Sequence, residues 1–420
     1  MSAAIFSVGL VIFLAYFFVG VFKRTRIPDV FLLMLLGILI GPVLGLVQPA
    51  DFGKIGTVAT TVALIVILFE GGINLNIRQV KESLDETAYV ALSSFVVSVV
   101  LIGFMGWEIF DLPAPVAIML GTILGGTSSA VVIPIIKQLK LSNLAYMVLF
   151  LESALTDVLC IVVTMGILAG YSTGKVSTGA ILGQILASLV LASVIGVLGG
   201  MLWALMIKKI KGFPVSPVSM LAFVFVLYGV AEFLNYSGAI ASLAFGITLA
   251  NMKDVPLKKI RMQTYFSLFA EEQITEYERS FFEELVFLLK IFFFVYLGIS
   301  IQFGRWKVIL GGLLITVVLF LGRALVVRFA MPKRVTREDA MAMAVLIPKG
   351  LAAAVLASVP VQMGVPGGEI LRDTAYVVVL FSIGLTALLV SMVERKSRLV
   401  YPLFEKLFAA FPETVTEESK

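Results

Sequence analysis

Histidine is absent from the chain, and cysteine occurs once, as Cys160. The first absence removes the side chain that most readily titrates near neutral pH and most commonly ligates metals, and with it any histidine-dependent hydrolysis. The second excludes a disulfide framework within one chain. Charge is also scarce: Asp, Glu, Lys and Arg make up 14% of the 420 residues, where soluble domains use about 25%. Proton chemistry, if there is any, falls to carboxylates and lysines. What the chain has in abundance is apolar surface, with 60% hydrophobic residues and a mean hydropathy of +1.06. This is the composition of a protein whose solvent is the lipid bilayer. The net charge of +5 implies no nucleic-acid partner, because membrane proteins gather Lys and Arg in their cytoplasmic loops.

Apolar runs of about 20 residues, the length that crosses the hydrocarbon core, occur at thirteen places: 4–22, 30–47, 55–73, 88–108, 114–136, 142–168, 178–206, 217–234, 236–250, 285–301, 308–331, 338–359 and 374–393. The ninth is short enough to be tilted or re-entrant. The first lacks a preceding basic region and a small-residue cleavage site, and is expected to be a retained span. With the N-terminus outside, the inner loops and tail hold 23 Lys and Arg and the outer loops 5, while Lys290, Arg323, Arg328 and Lys349 fall within spans. The positive-inside rule therefore predicts a multi-pass protein of the cell membrane with its C-terminus in the cytoplasm. The loop 251–284 and the tail 394–420 are too short for a regulatory domain. Both are expected to be surface anchors, the tail through the amphipathic "LVYPLFEKLFAAF", although either is able to cover a cytoplasmic entrance.

Two of the thirteen segments are interrupted. Segment five reads "GTILGGTSSAVVIPII", with Gly125, Gly126, the hydroxyl residues Thr127, Ser128 and Ser129, and Pro134 inside one span. Segment twelve reads "AVLIPKGLAAAVLASVP", with Pro348, Lys349 and Gly350 at mid-span. Gly and Pro are tolerated in membrane helices, which explains either break alone. Their matched positions in two six-segment halves, and the lysine in one, point instead to a binding site at the meeting of repeated, inverted units. The expected fold is thus an all-α polytopic membrane protein of about 13 transmembrane helices, with two inverted six-helix repeats and crossed broken helices at segments five and twelve. One transmembrane domain, 1–393, is expected to comprise repeat one (1–170), a linker helix (178–206) and repeat two (217–393), followed by the short tail 394–420.

Acids at membrane depth mark the site. In "LFLESALTDVLCIVV", Asp157 is followed by almost nothing but aliphatic residues. A bare charge is costly there, so the carboxylate must hold either a proton or a small cation, and that exclusivity is what an exchanger needs. Thr156 and Ser153 offer oxygens of the kind hard cations prefer, as do Thr127 and Ser128 on the unwound part of segment five. Glu70, in "ILFEGGINLN", is either a further cation-binding group or a solvated helix end. Glu152 and Lys349 are read as a structural ion pair holding segment six to segment twelve, with Lys349 also offsetting carbonyls freed by the break. Pairing of Lys349 with Asp157 would instead make the lysine a proton carrier, and the sequence leaves both open. Lys290, Glu232, Arg323 and Arg328 are taken as span-end residues able to snorkel.

The motifs "FEGGINL", "GGTSSAVV", "ESALTD" and "IPKGLAAAVLA" occur in the order and spacing of the sodium/hydrogen exchanger type of monovalent cation/proton antiporter, which the chain resembles over nearly its whole length. The resemblance implies a homodimer with a six-helix core that moves, elevator-fashion, against a dimerisation domain containing segments one and seven. It implies transported Na⁺ or K⁺, with Li⁺ a further candidate, and H⁺, with no cofactor. By position it makes Asp157 the carrier, and sets Thr156 on the family's Asn, Glu152 on the acid that pairs with a base, and Lys349 on the Arg. Ser128 stands where the family has the Asp of its TDP motif, and "TSSAVV" leans toward the sister branch of bacterial potassium-efflux antiporters. Fewer charged ligands weaken the hold on strongly hydrated Na⁺, and a single carrier acid implies one cation per proton.

Three other classes compete. An organic-anion symporter shares inverted repeats, but its site calls for bases where this one centres on an acid. A cation channel needs rings of carbonyls or acids, and no repeated filter motif occurs. An intramembrane aspartyl protease needs two catalytic acids, and only Asp157 and Glu152 lie at depth, on one helix.

Overall fold

The computed structural model describes residues 2–25, 27–75, 77, 84–139, 141–172, 178–209, 216–234, 236–252, 275–331, 334–398 and 400–413. Among these, all regular structure is helical, as it must be where each backbone N–H and C=O needs a partner inside its own segment. Helix α1 (Ser2–Thr25) is followed by α2 (Asp29–Ile38), which widens into a π-helical stretch, Leu39–Val43, around Pro42. Proline has no N–H to give to a regular turn, so the ladder shifts there. A 3-10 turn, Pro49–Phe52, leads into α3 (Gly53–Ile73). Then come α4 (Leu84–Phe110), the short α5 (Ala114–Ile123) and α6 (Ser129–Ile136), and the long α7 (Asn143–Ser172) and α8 (Thr178–Lys209). Helices α9 (Pro217–Phe233) and α10 (Gly238–Ala250) precede α11 (Glu276–Ser300) and α12 (Trp306–Ala330). The last are α13 (Arg337–Val345), α14 (Leu351–Gln362), α15 (Gly368–Glu394) and α16 (Tyr401–Leu407).

Every expected apolar segment falls on helix, and segments five and twelve are each split in two, as α5–α6 and α13–α14. Six helices among the described residues are long and apolar enough to cross a bilayer by themselves. Boundaries shift by several residues at some segments, most of all at the tenth. Helix α11, which carries the tenth apolar segment, starts at Glu276 rather than near 285, because Thr275 and Glu278 form a reciprocal cap: the Glu278 N–H donates to Thr275 Oγ1 (3.2 Å) and the Thr275 N–H to Glu278 Oε2 (2.8 Å). Most of the loop 251–284 lies outside the described residues.

The chain divides into two compact units, each drawn from both halves of the sequence. The first comprises Met1–Gly53, Ser83–Thr164 and Lys290–Lys420. Within it, Lys290 is not a snorkelling span-end residue: its Nζ lies 2.8 Å from the buried Asp29, tying α11 to α2. The tail also belongs to this unit, where protein covers part of its apolar face and leaves Leu403 exposed. Phe408 and Phe411 are buried, the Arg337 N–H donates to the Pro412 carbonyl (2.8 Å), and Arg328 donates to the Leu407 carbonyl.

The second unit, Lys54–Glu82 and Met165–Leu289, is organised around Phe69. The ring stacks on Phe245 (centroids 5.4 Å apart) and meets Phe282 edge-on (4.8 Å). Asn251 closes the end of α3, donating to the Leu75 carbonyl (2.7 Å) and accepting the Ile77 N–H (2.8 Å). The rings can lie this close because α3 and α10 touch backbone to backbone at Gly72 and Gly246. A Cβ on Gly246 would lie 2.5 Å from the Phe69 carbonyl oxygen, and one on Gly72 equally close to that of Leu243. Gly246→Val is expected to force the helices apart, costing about 1–3 kcal/mol and lowering the thermal unfolding midpoint in detergent. Gly229→Val, which meets nothing within 4 Å, is expected to leave the midpoint near wild type.

Candidate functional site

The site lies in the first unit, where the two interruptions meet. Helix α5 ends at Ile123, and the chain runs through Gly125 and Gly126 to an extended Ser128 (φ −68°, ψ 112°) before α6 begins. Helix α13 ends at Val345. Pro348 has no N–H and disfavours a helical residue before it, and the chain stays extended to Gly350 (φ −143°, ψ −154°), where α14 starts. Each break leaves carbonyls and N–H groups without partners in a region with little water. The two breaks satisfy one another: the Ser128 N–H donates to the Pro348 carbonyl at 2.8 Å. The crossing is so close that a Cβ on Gly350 would lie 1.9 Å from Ser128 Oγ.

Lys349 is fully buried at this crossing. Its Nζ donates to the Gly126 carbonyl (2.8 Å) and its N–H to Ser382 Oγ on α15 (2.9 Å). The lysine therefore does offset a freed carbonyl, but one freed by the opposite break. The expected Glu152–Lys349 ion pair is not what forms. Glu152 is held bidentately by Arg323 of α12, through Nη1 and Oε1 and through Nη2 and Oε2 at 2.8 Å. Arg323 is itself 1% exposed, not snorkelled, and also donates to Ser94 Oγ (3.0 Å) and the Met343 carbonyl (3.1 Å). The physical reason is geometric. A guanidinium offers two parallel donors to a carboxylate and further donors at its back, whereas an ammonium offers one point charge. Arg323 thus joins α12, α7, α4 and α13, and Lys349 remains free to serve the crossing. The signal in sequence was Arg323, the deeper of the two arginines of segment eleven.

Helix α7 is the third wall. Thr156 Oγ1 accepts the Thr127 N–H (3.1 Å) and donates to the Glu152 carbonyl (2.9 Å), stitching the break in segment five to α7. Ser153, one turn away, donates to the Phe150 carbonyl (2.9 Å). Both hydroxyl hydrogens are thus turned to the helix itself, leaving oxygen lone pairs as the available groups. Asp157 is half-buried, and its Oδ2 accepts a hydrogen bond from Ser129 Oγ at 3.0 Å. Ser129 is the member of the "TSSAVV" run that reaches the acid, while Thr127 and Ser128 are buried at the crossing. Among the described residues no base forms an ion pair with Asp157. Glu70 lies in the second unit at the end of α3, where it accepts from Asn74 Nδ2 at 2.5 Å. Asn74 in turn accepts from Arg279 (2.9 Å).

Two crossed, interrupted helices with a carboxylate beside them, in an all-helical apolar chain, define a polytopic membrane transporter. Residues 9–395 match the family model for the transmembrane sodium/hydrogen exchangers, and the chain belongs to that family, one of antiporters rather than enzymes. It is 26% identical over 309 residues to Na(+)/H(+) antiporter 1 of Methanocaldococcus jannaschii, covering 71% of this chain and 68% of that protein. It is 23% identical to the K(+)/H(+) antiporter NhaP of Alkalimonas amylolytica, covering 81% of this chain and 58% of that one. The fold is similar to that of the sodium proton antiporter MjNhaP1 of M. jannaschii solved at pH 8, with a TM-score of 0.74 and 24% identity, over 92% of this chain and 99% of that one.

Removing one partner of the buried Glu152–Arg323 pair strands a charge at depth, a loss of about 3–5 kcal/mol. Arg323→Met is expected to lower the thermal unfolding midpoint sharply. Adding Glu152→Met is expected to recover much of the loss, and a double-mutant cycle reads the coupling. Additive losses in that cycle would dismiss the pair as the clamp between α7 and α12.

Proposed function

We propose that the chain is a secondary active antiporter that exchanges a monovalent cation, Na⁺ first and K⁺ close behind, for H⁺, with Asp157 as the shared carrier. The observation that carries this reading is the contrast between two acids five positions apart on α7. Glu152 has its charge matched by a guanidinium, whereas Asp157 has a neutral hydroxyl, Ser129, as its hydrogen-bond partner. A carboxylate at depth with no base beside it is neutralised by whatever cation reaches it. A proton and a metal cation cannot occupy the same oxygens, so binding one expels the other. Lone pairs of Thr156 and Ser153, with Thr127 and Ser128 near the crossing, complete the coordination in this reading, and Glu70 helps to recruit cations to the protein.

Ion preference follows from the charge of that ligand set. Na⁺ holds its water more tightly than K⁺, and a site with one acid and several hydroxyls repays dehydration less well than one with two acids. The relatives named as Na⁺/H⁺ and as K⁺/H⁺ antiporters are consistent with either ion. With one acid as carrier, one cation is exchanged for one proton, and the cycle moves no net charge. Thirteen crossings, two inverted repeats, an outside N-terminus, a plasma-membrane homodimer and an elevator movement of the core complete the proposal. The resemblance and the balance of Lys and Arg across the loops support them.

The test is exchange in proteoliposomes under an imposed pH gradient, followed on adding Na⁺, Li⁺, K⁺ or Rb⁺. The expected outcome is dissipation by Na⁺ or K⁺, abolished in a folded Asp157→Asn protein. Exchange that survives Asp157→Asn would remove the carrier assignment. An imposed membrane potential is expected to leave the rate unchanged, and a voltage-driven rate would contradict one-for-one exchange.

A further inference from the structure

The hydroxyl groups around the crossing fall into two kinds, according to where their hydrogens go. A serine or threonine inside a helix can turn its hydrogen back to a carbonyl three or four residues earlier. Ser153, Thr156 and Ser382 all do so, to the carbonyls of Phe150, Glu152 and Val379. Each then presents only lone pairs to its surroundings, and two of them already serve backbone donors: Thr156 takes the Thr127 N–H and Ser382 the Lys349 N–H.

Ser129 differs because of its place. It is the first residue of α6, directly after the extended Ser128, so no turn of its own helix lies behind it to receive the hydrogen. The hydrogen goes across to α7 instead, to Asp157 Oδ2 at 3.0 Å, and the Ser129 N–H adds its own attraction for the same carboxylate. Among the described residues, Ser129 is the one side chain that donates to Asp157.

A hydroxyl that gives its hydrogen to the acid is not acting as a cation ligand, because a cation is held by oxygen lone pairs. What it supplies is orientation. A carboxylate accepts at about four lone-pair positions, and a donor fixed at a helix end pins one of them, which sets the plane of the whole group. A proton needs a single lone pair and is indifferent to that plane. A metal cation needs several oxygens at once, at set distances, so its binding depends on how the carboxylate is turned. We propose that Ser129 is a positioning residue for exchange, holding Asp157 in the orientation that a cation needs and so setting cation affinity without being a ligand. This rests on Asp157 as the carrier.

The experiment measures the dependence of exchange on Na⁺ or K⁺ concentration at one fixed pH in proteoliposomes, for wild type, Ser129→Ala, Ser129→Thr and Asp157→Asn. Ser129→Ala is expected to raise the cation KM by about tenfold, the effect of one lost charge-assisted hydrogen bond. Its maximal rate is expected to stay within about twofold of wild type, the pattern of lost binding rather than lost turnover. Ser129→Thr keeps the donor, adds its methyl at a half-buried position, and is expected to restore the wild-type KM. If Ser129→Ala fails to fold, Ser129→Val against Ser129→Thr carries the test, since the two share a branched shape and differ in the hydroxyl. A second readout needs no transport: bound cation raises the thermal unfolding midpoint in detergent, and Ser129→Ala is expected to need about tenfold more cation for the same rise. An unchanged KM in folded Ser129→Ala, an equal rise of KM in Ser129→Thr, or a lost maximal rate at constant KM would overturn the proposal. With Asp157→Asn inactive, such a result leaves the carrier reading standing, whereas exchange that survives Asp157→Asn removes both.

Discussion

The crossing of two interrupted helices depends on one constraint: backbone groups opened at membrane depth must find partners in the protein, because lipid supplies none. The Ser128 N–H meets the Pro348 carbonyl, and the Gly126 carbonyl meets Lys349 Nζ. Each break thus closes what the other opens, and neither is stable alone. Gly350 permits the approach, since a Cβ there would overlap Ser128. The lysine supplies the donor that this carbonyl would otherwise lack at depth.

The two acids of α7 divide their labour according to what surrounds them. Glu152 is buried with a guanidinium whose remaining donors reach Ser94 and the Met343 carbonyl. An ion pair so fully hydrogen-bonded serves as a fastener between four helices, and it adds no net charge to the core. Asp157 has a hydroxyl instead and remains half-buried. A neutral partner orients the carboxylate without cancelling its charge, and in the proposed cycle the transported ion does the cancelling. Thr156 links the two roles, since its hydroxyl joins the unwound part of segment five to the turn of α7 that holds both acids.

Outside the crossing, similar economies recur. The tail buries Phe408 and Phe411 within the first unit, and its Leu407 and Pro412 carbonyls take up Arg328 and the N–H of Arg337. The start of α13 is thereby fixed by the tail on one side and by Asp339, through Ser142, on the other. Helix α13 leads directly into the break that carries Lys349, so contacts at its outer end bear on the geometry at its inner end.

Sequence alone determined the elements. Apolar runs of membrane length fix where helices form because the bilayer admits no other local structure, and Gly, Pro and Ser in matched positions fix where two of them break. It also marked Asp157, because an acid in an aliphatic run has few explanations. Partner choice was different. Glu152 and Lys349 were plausible partners from charge and depth, yet Arg323, 171 positions away, won through the bidentate geometry that an ammonium cannot match. Likewise Ser129 rather than its neighbours reached Asp157, because the direction of α6 after the break decides which hydroxyl of three adjacent residues faces that acid. Such choices depend on distances and angles of a few tenths of an ångström and a few tens of degrees, which tertiary packing sets and residue order does not.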